Sequence, residues 1–432
     1  MASVLVCSCS VTGHVVPMLA VAAGLVNRGH SVRFLTGQRF AERVAATGAT
    51  FLPLPPETDF DETNQDEEFP GKAGLKGPTG IRYDLTNIFM RPGKHQYDAV
   101  QAAIAETPTD AVLSEALFMG VALLLNTPRA QRPTVINCGI VPLSLASRDT
   151  APFGLGIPPM RGPIGRFRNR ALKGVTEQVI FAPVQKYADQ VACDATGKPF
   201  PGFFMNWPRH ADILVQFGVP EFEYPRSDLP DHVHFVGPVS QSGGRDTADI
   251  VLPEWWGDLD SGRPVVHVTQ GTVANRDYDD LIRPTIDGLA NDDVFVVVST
   301  GGRPEDTLPG PLPANVRVSS YLPYDELLPK TSVVVTNGGY GGVQFALRHG
   351  VPLVVAGQSE EKAEVTARVA WSGTGINLRT KGAKPDDVAK AVRKVLAEPS
   401  YRQHAQRIGK AIKESRGVDA LVDLVEASST VT

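Results

Sequence analysis

The stretch Val333-Val334-Val335-Thr336-Asn337-Gly338-Gly339-Tyr340-Gly341-Gly342 does most to limit what this chain can become. A run of β-branched apolar residues stops in four glycines, and a helical pattern from Val343 to His349 begins at once. Such a run suits a strand buried on both faces, as in a parallel sheet. Glycines permit positive φ and close backbone approach to a ligand. The helix start behind them offers unpaired N–H groups and the positive end of a dipole. Together they predict a strand–turn–helix unit that holds an anion, most often a phosphate, in the second half of the chain.

The first forty residues follow the same logic. Residues 4–7 read as a strand and 8–14 as a loop, and Pro17 suits a first helical turn. Met18, Leu19, Ala22, Leu25 and Val26 give that helix one apolar face, Gly29-His30 ends it, and 31–35 form the next strand. This is a βαβ unit, which implies a parallel sheet. Another strand reads at 111–113, ending in Ser114-Glu115, and one more at 234–236. Past a proline- and glycine-rich stretch at 220–245 the alternation restarts. Strand 264–269 is followed by helix 277–290, strands 294–299, 316–319 and 332–336, a helix, strand 352–356, and helical patterns from 361 to the end.

At 432 residues the chain exceeds one ordinary core. The predicted fold is α/β with two doubly wound, Rossmann-like domains facing each other across a cleft. The first spans 1–225, a linker 226–250 and the second 251–415, leaving 416–432 as a C-terminal helix. Ligands of such sheets sit at the carboxyl ends of the strands. The loops at 8–14 and 336–342 both lie at such ends, so facing domains bring them together.

Composition narrows the function classes. A formal charge of −5 gives no support to nucleic-acid binding or a basic membrane surface. No apolar run reaches the roughly 18 residues of a spanning helix, which argues against membrane insertion. The N-terminus has no basic segment before its apolar run and reads as a core strand. Cys7, Cys9, Cys138 and Cys193 are too few and scattered for a disulfide framework and read as buried reduced thiols, which points to the cytoplasm. Residues 53–80, rich in proline, glycine and acids, read as a solvated loop, with a lid over a substrate as the alternative.

His14 is the foremost candidate for chemistry, in a loop after a strand and just before a helix. A helix start disfavours imidazolium and favours the neutral, proton-accepting ring. A histidine satisfied within a tight turn is the alternative. Glu115 ends a strand of the same domain and could reach His14, fixing its tautomer, or stand solvated at the strand end. Asp110 begins that strand and belongs at the opposite sheet edge. His232 and His234 lack a third metal ligand nearby and read as linker residues. His267 reads as packed within its strand. Asp258-Leu259-Asp260 spells a carboxylate pair but precedes a strand, and reads as a solvated loop. Tyr321, with Leu322 beside it, could stack on a nucleobase or pack on a helix. Gln270-Gly271-Thr272 ends a strand and could add an N–H and a hydroxyl to a phosphate site. No Walker lysine follows the glycine run, and no G-x-G-x-x-G follows the first strand, which disfavours P-loop hydrolysis and dinucleotide oxidoreduction.

Gly13-His14-x-x-Pro17-x-Leu19, with Arg28-Gly29-His30-x-Val32, resembles the N-terminal motif of UDP-glycosyltransferases of the two-Rossmann GT-B type. Residues 264–272, 321–323, 336–342 and 350–375 resemble that family's donor-binding signature, and the match covers essentially the whole chain. It is nearest in flavour to actinobacterial natural-product glycosyltransferases. The resemblance implies inverting transfer of a sugar, glucose from UDP-glucose, to a hydroxyl of an apolar small molecule such as an antibiotic, polyketide or flavonoid. His14 would be the base and Glu115, where the family usually has Asp, its orienter. The diphosphate would rest on Asn337, Gly338, Gly339, Tyr340, Gly341 and Gly342, with no metal and no cofactor besides the nucleotide sugar. Glu361 and Lys362 would meet the donor sugar, and Gly13, Phe60, Ile81, Phe89, Met90 and Phe118 the acceptor. The last helix would return to the first domain.

Five changes, at six positions, depart from the family pattern. Asn337 replaces a usual His, Gly342 a Ser or Thr, Phe345 a ribose-gripping Glu, and Tyr321 a stacking Trp, while Glu361-Lys362 replaces Asp-Gln. Two other readings stand beside this one: a non-catalytic sugar-nucleotide-binding partner protein, which the altered donor loop motivates, or a sugar-nucleotide epimerase of the same fold.

Overall fold

A computed structural model describes residues 1–75, 77–239, 252–272, 275, 277–358 and 361–429. Its frame is two parallel sheets. The first contains β1 (Ser3–Cys7), β2 (Ser31–Thr36), β3 (Thr50–Pro53), β4 (Ala111–Glu115), β5 (Thr134–Gly139), β6 (Ile213–Gln216) and β7 (Val233–Phe235). The second contains β8 (Val265–Thr269), β9 (Phe295–Ser299), β10 (Val316–Ser319), β11 (Val333–Thr336), β12 (Leu353–Val355) and β13 (Gly375–Asn377). Residues 240–250 of the expected linker lie outside the described residues.

The pleat explains the unbroken apolar strands. Val4 and Val6 of β1 enter one core while Leu5 and Cys7 enter the other. In β11, Val333 and Val335 face one core and Val334 the opposite one. Helices cover both faces of each sheet, so neither side of these strands can be polar.

The two sheets are wound alike. The first runs β3-β2-β1-β4-β5-β6-β7 and the second β10-β9-β8-β11-β12-β13. In each, the chain starts at the centre, builds outward to one side, then crosses to the other. The reversal falls between β1 and β4, which pair with Cys7 beside Ser114, and between β8 and β11, which pair with Thr269 beside Thr336. Connections diverge at such a point and leave a crevice at the carboxyl ends of the strands.

Several elements differ from the sequence reading. Strands β3, β5, β6 and β13 carry too little periodicity to announce themselves; β13, three residues long, interrupts what reads as continuous helix from 361. The helix read at 277–290 is a turn, Tyr278–Asp280, capped by Asp277 accepting from the Asp279 N–H at 2.9 Å, followed by Ile282–Leu289. Segment 53–80 is not plain loop: it holds short turns at Glu62–Asn64 and Pro70–Lys72 and leads into helix Gly77–Asp84. Of the cysteines, Cys193 is exposed while the other three are buried.

The last helix, Val418–Ser429, packs on helix Thr12–Asn27, and its Leu421, Val422 and Val425 complete the first domain's core. His30, which follows the Gly29 turn at φ +82°, accepts at Nδ1 from the Ala2 N–H and meets Glu426 at Nε2. The chain thus ends on the domain where it began.

Candidate active site

His14 is the third residue of helix Thr12–Asn27, which opens five residues after β1 ends. Its Nδ1 lies 3.2 Å from Glu115 Oε1, at ion-pair distance though out of line for a hydrogen bond. Glu115 is fully buried at the end of β4. Two backbone donors fix it: the Cys9 N–H to Oε1 at 3.2 Å and the Leu117 N–H to Oε2 at 2.6 Å. Cys9 follows β1, so the pairing of β1 with β4 brings these donors to the carboxylate. Asp110, at the other end of β4, instead accepts from the Ser3 N–H at the far sheet edge.

The pKa of His14 shifts in the direction opposite to that expected at a helix start. Burial pushes its pKa down, but the Glu115 carboxylate, with Glu361 and Glu62 further off, outweighs burial and leaves it raised. Glu115 is opposed by burial and held below its ordinary value by His14 and the two backbone donors. The pair therefore stabilises imidazolium and carboxylate together. Glu361, at the start of helix Lys362–Trp371, comes from the second domain, so carboxylates of both domains contribute to the raised pKa of His14.

Glu62 reads from the sequence as part of a solvated acidic run, but the structure seats it at the start of the helix that carries His14. It is buried, and it accepts from the N–H of Thr12 at 2.9 Å, from the Thr12 hydroxyl and from Arg39. Val11 provides no side-chain cap for the helix, so Glu62 takes that place from fifty residues away.

Beside His14, the Phe89 ring lies parallel to the imidazole with centroids 6.1 Å apart. Phe60 stands half-buried, edge-on to Phe69, while Gly13 and Ile81 are exposed. Met90 and Phe118 differ from their expected place: both sit in the core beneath β1 and β4 and show almost no surface to a ligand. Cys9 Sγ lies with the His14 and Glu115 ligand atoms, all within 4.8 Å of one another. Its thiol donates to the Leu117 carbonyl, and burial beside Glu115 pushes its pKa well up.

The second sheet presents its loops the same way. Gly338 (φ +85°) turns the chain after β11, and a Cβ there would come within 2.6 Å of the Thr366 methyl. Helix Tyr340–Arg348 starts behind it with Gly341 and Gly342 exposed and no side chain capping its first N–H groups. Asn337 Nδ2 donates to the Gln270 carbonyl at 2.5 Å, tying the loop after β11 to the loop after β8. Gly271 adopts φ +73° between Gln270 and the exposed Thr272. The Gln270 side chain turns inward, to the Asp277 carbonyl and the Ile282 N–H, so it braces the loop and faces no ligand.

Tyr340 differs too: its ring is buried against the first domain, where Gly218 leaves room for the hydroxyl. Leu322 is core, while Tyr321 stays half-buried with its ring against Gly302. Phe345 packs edge-on to Tyr324 inside the second domain, which explains an apolar residue there. Lys362 is buried, and Glu361 half-buried, at the first turn of their helix.

Other polar candidates have structural employment. Asp258 pairs with Arg317 at 2.7 Å and Asp260 with Lys330, both before β8 and so at the sheet edge away from the donor loops. The buried His267 ring contacts the Val297 carbonyl and Tyr324, and burial pushes its pKa down to about 4. Burial also lowers His232, beside β7.

Residues 6–137 match the glycosyltransferase family 28 N-terminal domain, and 283–416 match the erythromycin biosynthesis protein CIII-like C-terminal domain. The chain is 44% identical to 4'-demethylrebeccamycin synthase of Lentzea aerocolonigenes, over 98% of this chain and 99% of that one. It belongs to the UDP-glycosyltransferase family. The UDP-glucosyltransferase B1 of Starmerella bombicola is 34% identical over 97% and 96% of the two chains. Among solved structures, the glycosyltransferase of kitacinnamycin superposes with a TM-score of 0.73 over 99% of this chain and 98% of that one, at 20% identity. The fold is therefore GT-B. In this glycosyltransferase the crevices of both sheets, one carrying His14 and the other the glycine turn, belong to one cleft. Among the described residues no helix is long and apolar enough to cross a membrane.

Proposed function

We propose that this glycosyltransferase transfers glucose from UDP-glucose to a hydroxyl of an apolar small molecule, such as an antibiotic, polyketide or flavonoid, with inversion at the anomeric carbon and without a metal, in the cytoplasm. The observation that carries the reading is the His14–Glu115 pair at the first sheet's reversal point, with Glu361 of the opposite domain close enough to act on its charge. Relatives named for rebeccamycin synthesis and UDP-glucosyl transfer support the substrate classes.

With Nδ1 of His14 turned to Glu115, Nε2 is left for the acceptor. The acceptor hydroxyl gives its proton to Nε2 as its oxygen bonds to the anomeric carbon. The bond from that carbon to the diphosphate oxygen breaks, and the leaving group keeps the electron pair. One displacement inverts the centre. Glu115 offsets the charge on the imidazolium. The exposed N–H groups at the start of helix Tyr340–Arg348 receive the charge on the diphosphate. That reception, and the engagement of Asp258 and Asp260 elsewhere, support transfer without a metal. Glu361 accepts from sugar hydroxyls, and Tyr321 stacks on the base.

Incubation with UDP- and TDP-glucose and a panel of polyketide, flavonoid and aromatic acceptors, in EDTA, tests this by mass spectrometry and proton NMR. A hexose adduct formed best from UDP-glucose, with the β anomeric coupling, is expected. An α-linked product, or activity restored only by added divalent ion, overturns the mechanism. A changed sugar nucleotide with no acceptor present would instead reveal an epimerase.

A further inference from the structure

Helix Gly162–Val175, with the wide turn Thr176–Ile180 that continues it, is built inside out. The residues it turns to the protein are Gly165, Asn169, Leu172 and Thr176. The residues it turns to water are Ile164, Phe167, Ala171, Val175 and Val179, at the spacing of a single helical stripe. Their exposure is large: 77% for Ile164, 75% for Phe167 and 66% for Val179. Leu155 and Met160, just before the helix, are exposed as well. Asn169 has its inward role settled, donating to the Arg148 carbonyl, so the helix is anchored in this orientation. A contiguous apolar face of this kind marks an interaction surface.

Charge decides the partner. Arg161, Arg166, Arg168, Arg170 and Lys173 lie on this helix and at its start, with no acidic residue from 161 to 175, in a chain whose formal charge is −5. On a helical projection Arg161 and Arg168 fall at the Val179 edge of the apolar stripe, Arg170 borders its Phe167 edge, and Arg166 and Lys173 lie further round on the polar side. Arg166 pairs with Asp149 at 3.2 Å and Lys173 with Glu177 at 3.8 Å, which leaves the cations of this segment in excess over its carboxylates. A two-fold pairing with a second copy would set these cations against their own equivalents. An apolar stripe edged by cations fits a surface that is apolar within and anionic at its boundary.

We infer that this helix docks the enzyme on an anionic lipid surface, lying in the interface with Ile164, Phe167, Val175 and Val179 among the acyl chains and the arginines at the phosphates. This is peripheral attachment and involves no spanning segment. The next helix, Ala182–Thr196, packs on the turn Leu85–Met90 that carries Phe89 to His14, so the docked face adjoins the acceptor side of the cleft. Acceptors dissolved in a bilayer would then reach the base by a short path.

Flotation of the full chain with vesicles of phosphatidylcholine, alone or with 30% phosphatidylglycerol, tests the assignment. Binding to the anionic vesicles only is expected, falling at least tenfold in Ile164→Ser/Phe167→Ser and in Arg170→Glu/Lys173→Glu. Turnover of a water-soluble acceptor by these variants reads whether they fold, since no altered residue is in the cleft. Absence of binding to anionic vesicles, or equal binding by wild type and folded variants, overturns the proposal. So does a concentration-dependent dimer in sedimentation velocity that the same substitutions disperse, which would give the face to a second copy.

Discussion

His14 combines a task and an environment that set its pH dependence. As the proposed base His14 must be neutral to accept a proton, yet its carboxylate neighbours raise its pKa. Activity therefore climbs through a pH above the ordinary histidine value of about 6.5. Glu115→Gln removes the largest raising charge and leaves the lowering effect of burial. The acidic limb of kcat/KM should then move to lower pH while kcat falls by about 100-fold or more. His14→Ala should lose transfer to the same or a greater extent and keep donor binding by calorimetry. An unmoved limb in Glu115→Gln would remove His14 as the titrating base. Glu62 gives a second test. Glu62→Gln keeps an acceptor for the Thr12 N–H but deletes a charge that raises His14, so the limb should shift down with little change in melting temperature. Glu62→Ala should shift it likewise and also cost about 1 kcal/mol in a denaturant melt, as a lost cap does. Glu115 was legible because it ends a strand whose position the apolar pattern fixes, and His14 because it follows another such strand, although the helix begins at Thr12 and takes His14 out of the expected loop. Glu62 was not, because its partners are Thr12 and Arg39, and nothing local in an acidic run reports a distant helix start.

The elements most legible were those whose pattern is redundant. The strand run 332–336 and the helix face from Met18 to Val26 are each specified by several residues. Strands β5 and β6, with Asn137 and Gln216 among few residues, rely on neighbours that come from far along the chain. The C-terminal helix shows tertiary packing overriding local propensity. Gly24 stands inside helix Thr12–Asn27, where alanine is worth up to about 1 kcal/mol by propensity. A Cβ there would come within 2.0 Å of the Val418 Cγ1, in a β-branched side chain with few rotamers. Gly24→Ala should therefore destabilise, by about 1–2 kcal/mol net, because overpacking outweighs propensity. Gly24→Ala/Val418→Ala should recover most of that loss, read as a double-mutant cycle in urea. Simple additivity of the two losses would show that the helices separate at no cost and that the contact is incidental.

At the scale of the whole molecule the two domains are joined by buried charge. Glu364 accepts from the N–H groups of Gly154 and Gly156, both at 2.9 Å, in the loop between β5 and β6. On the next turn Arg368 bonds Glu364 at 2.7 Å and Glu223 at 2.9 Å, and its guanidinium lies over the Tyr224 ring. Glu223 in turn accepts from the Leu143 N–H at 2.8 Å. Every charged member is nearly inaccessible, so removing one leaves the others without compensation. None of this could be read from the sequence, since the partners of Arg368 lie 145 and four residues away and only the folded cleft unites them. The network holds helix Lys362–Trp371, at whose start stand Glu361 and Lys362, the residues proposed to meet the donor sugar. Arg368→Met conserves much of the volume and removes the charge. It should cost about 3 kcal/mol or more of stability. Below its melting temperature, if Glu361 meets the donor sugar as proposed, it should raise the donor KM severalfold and the acceptor KM less. Steady-state kinetics with each substrate varied in turn, beside a thermal melt, separates the effects. A loss of stability with both KM values intact would mean that the network joins the domains without positioning the donor.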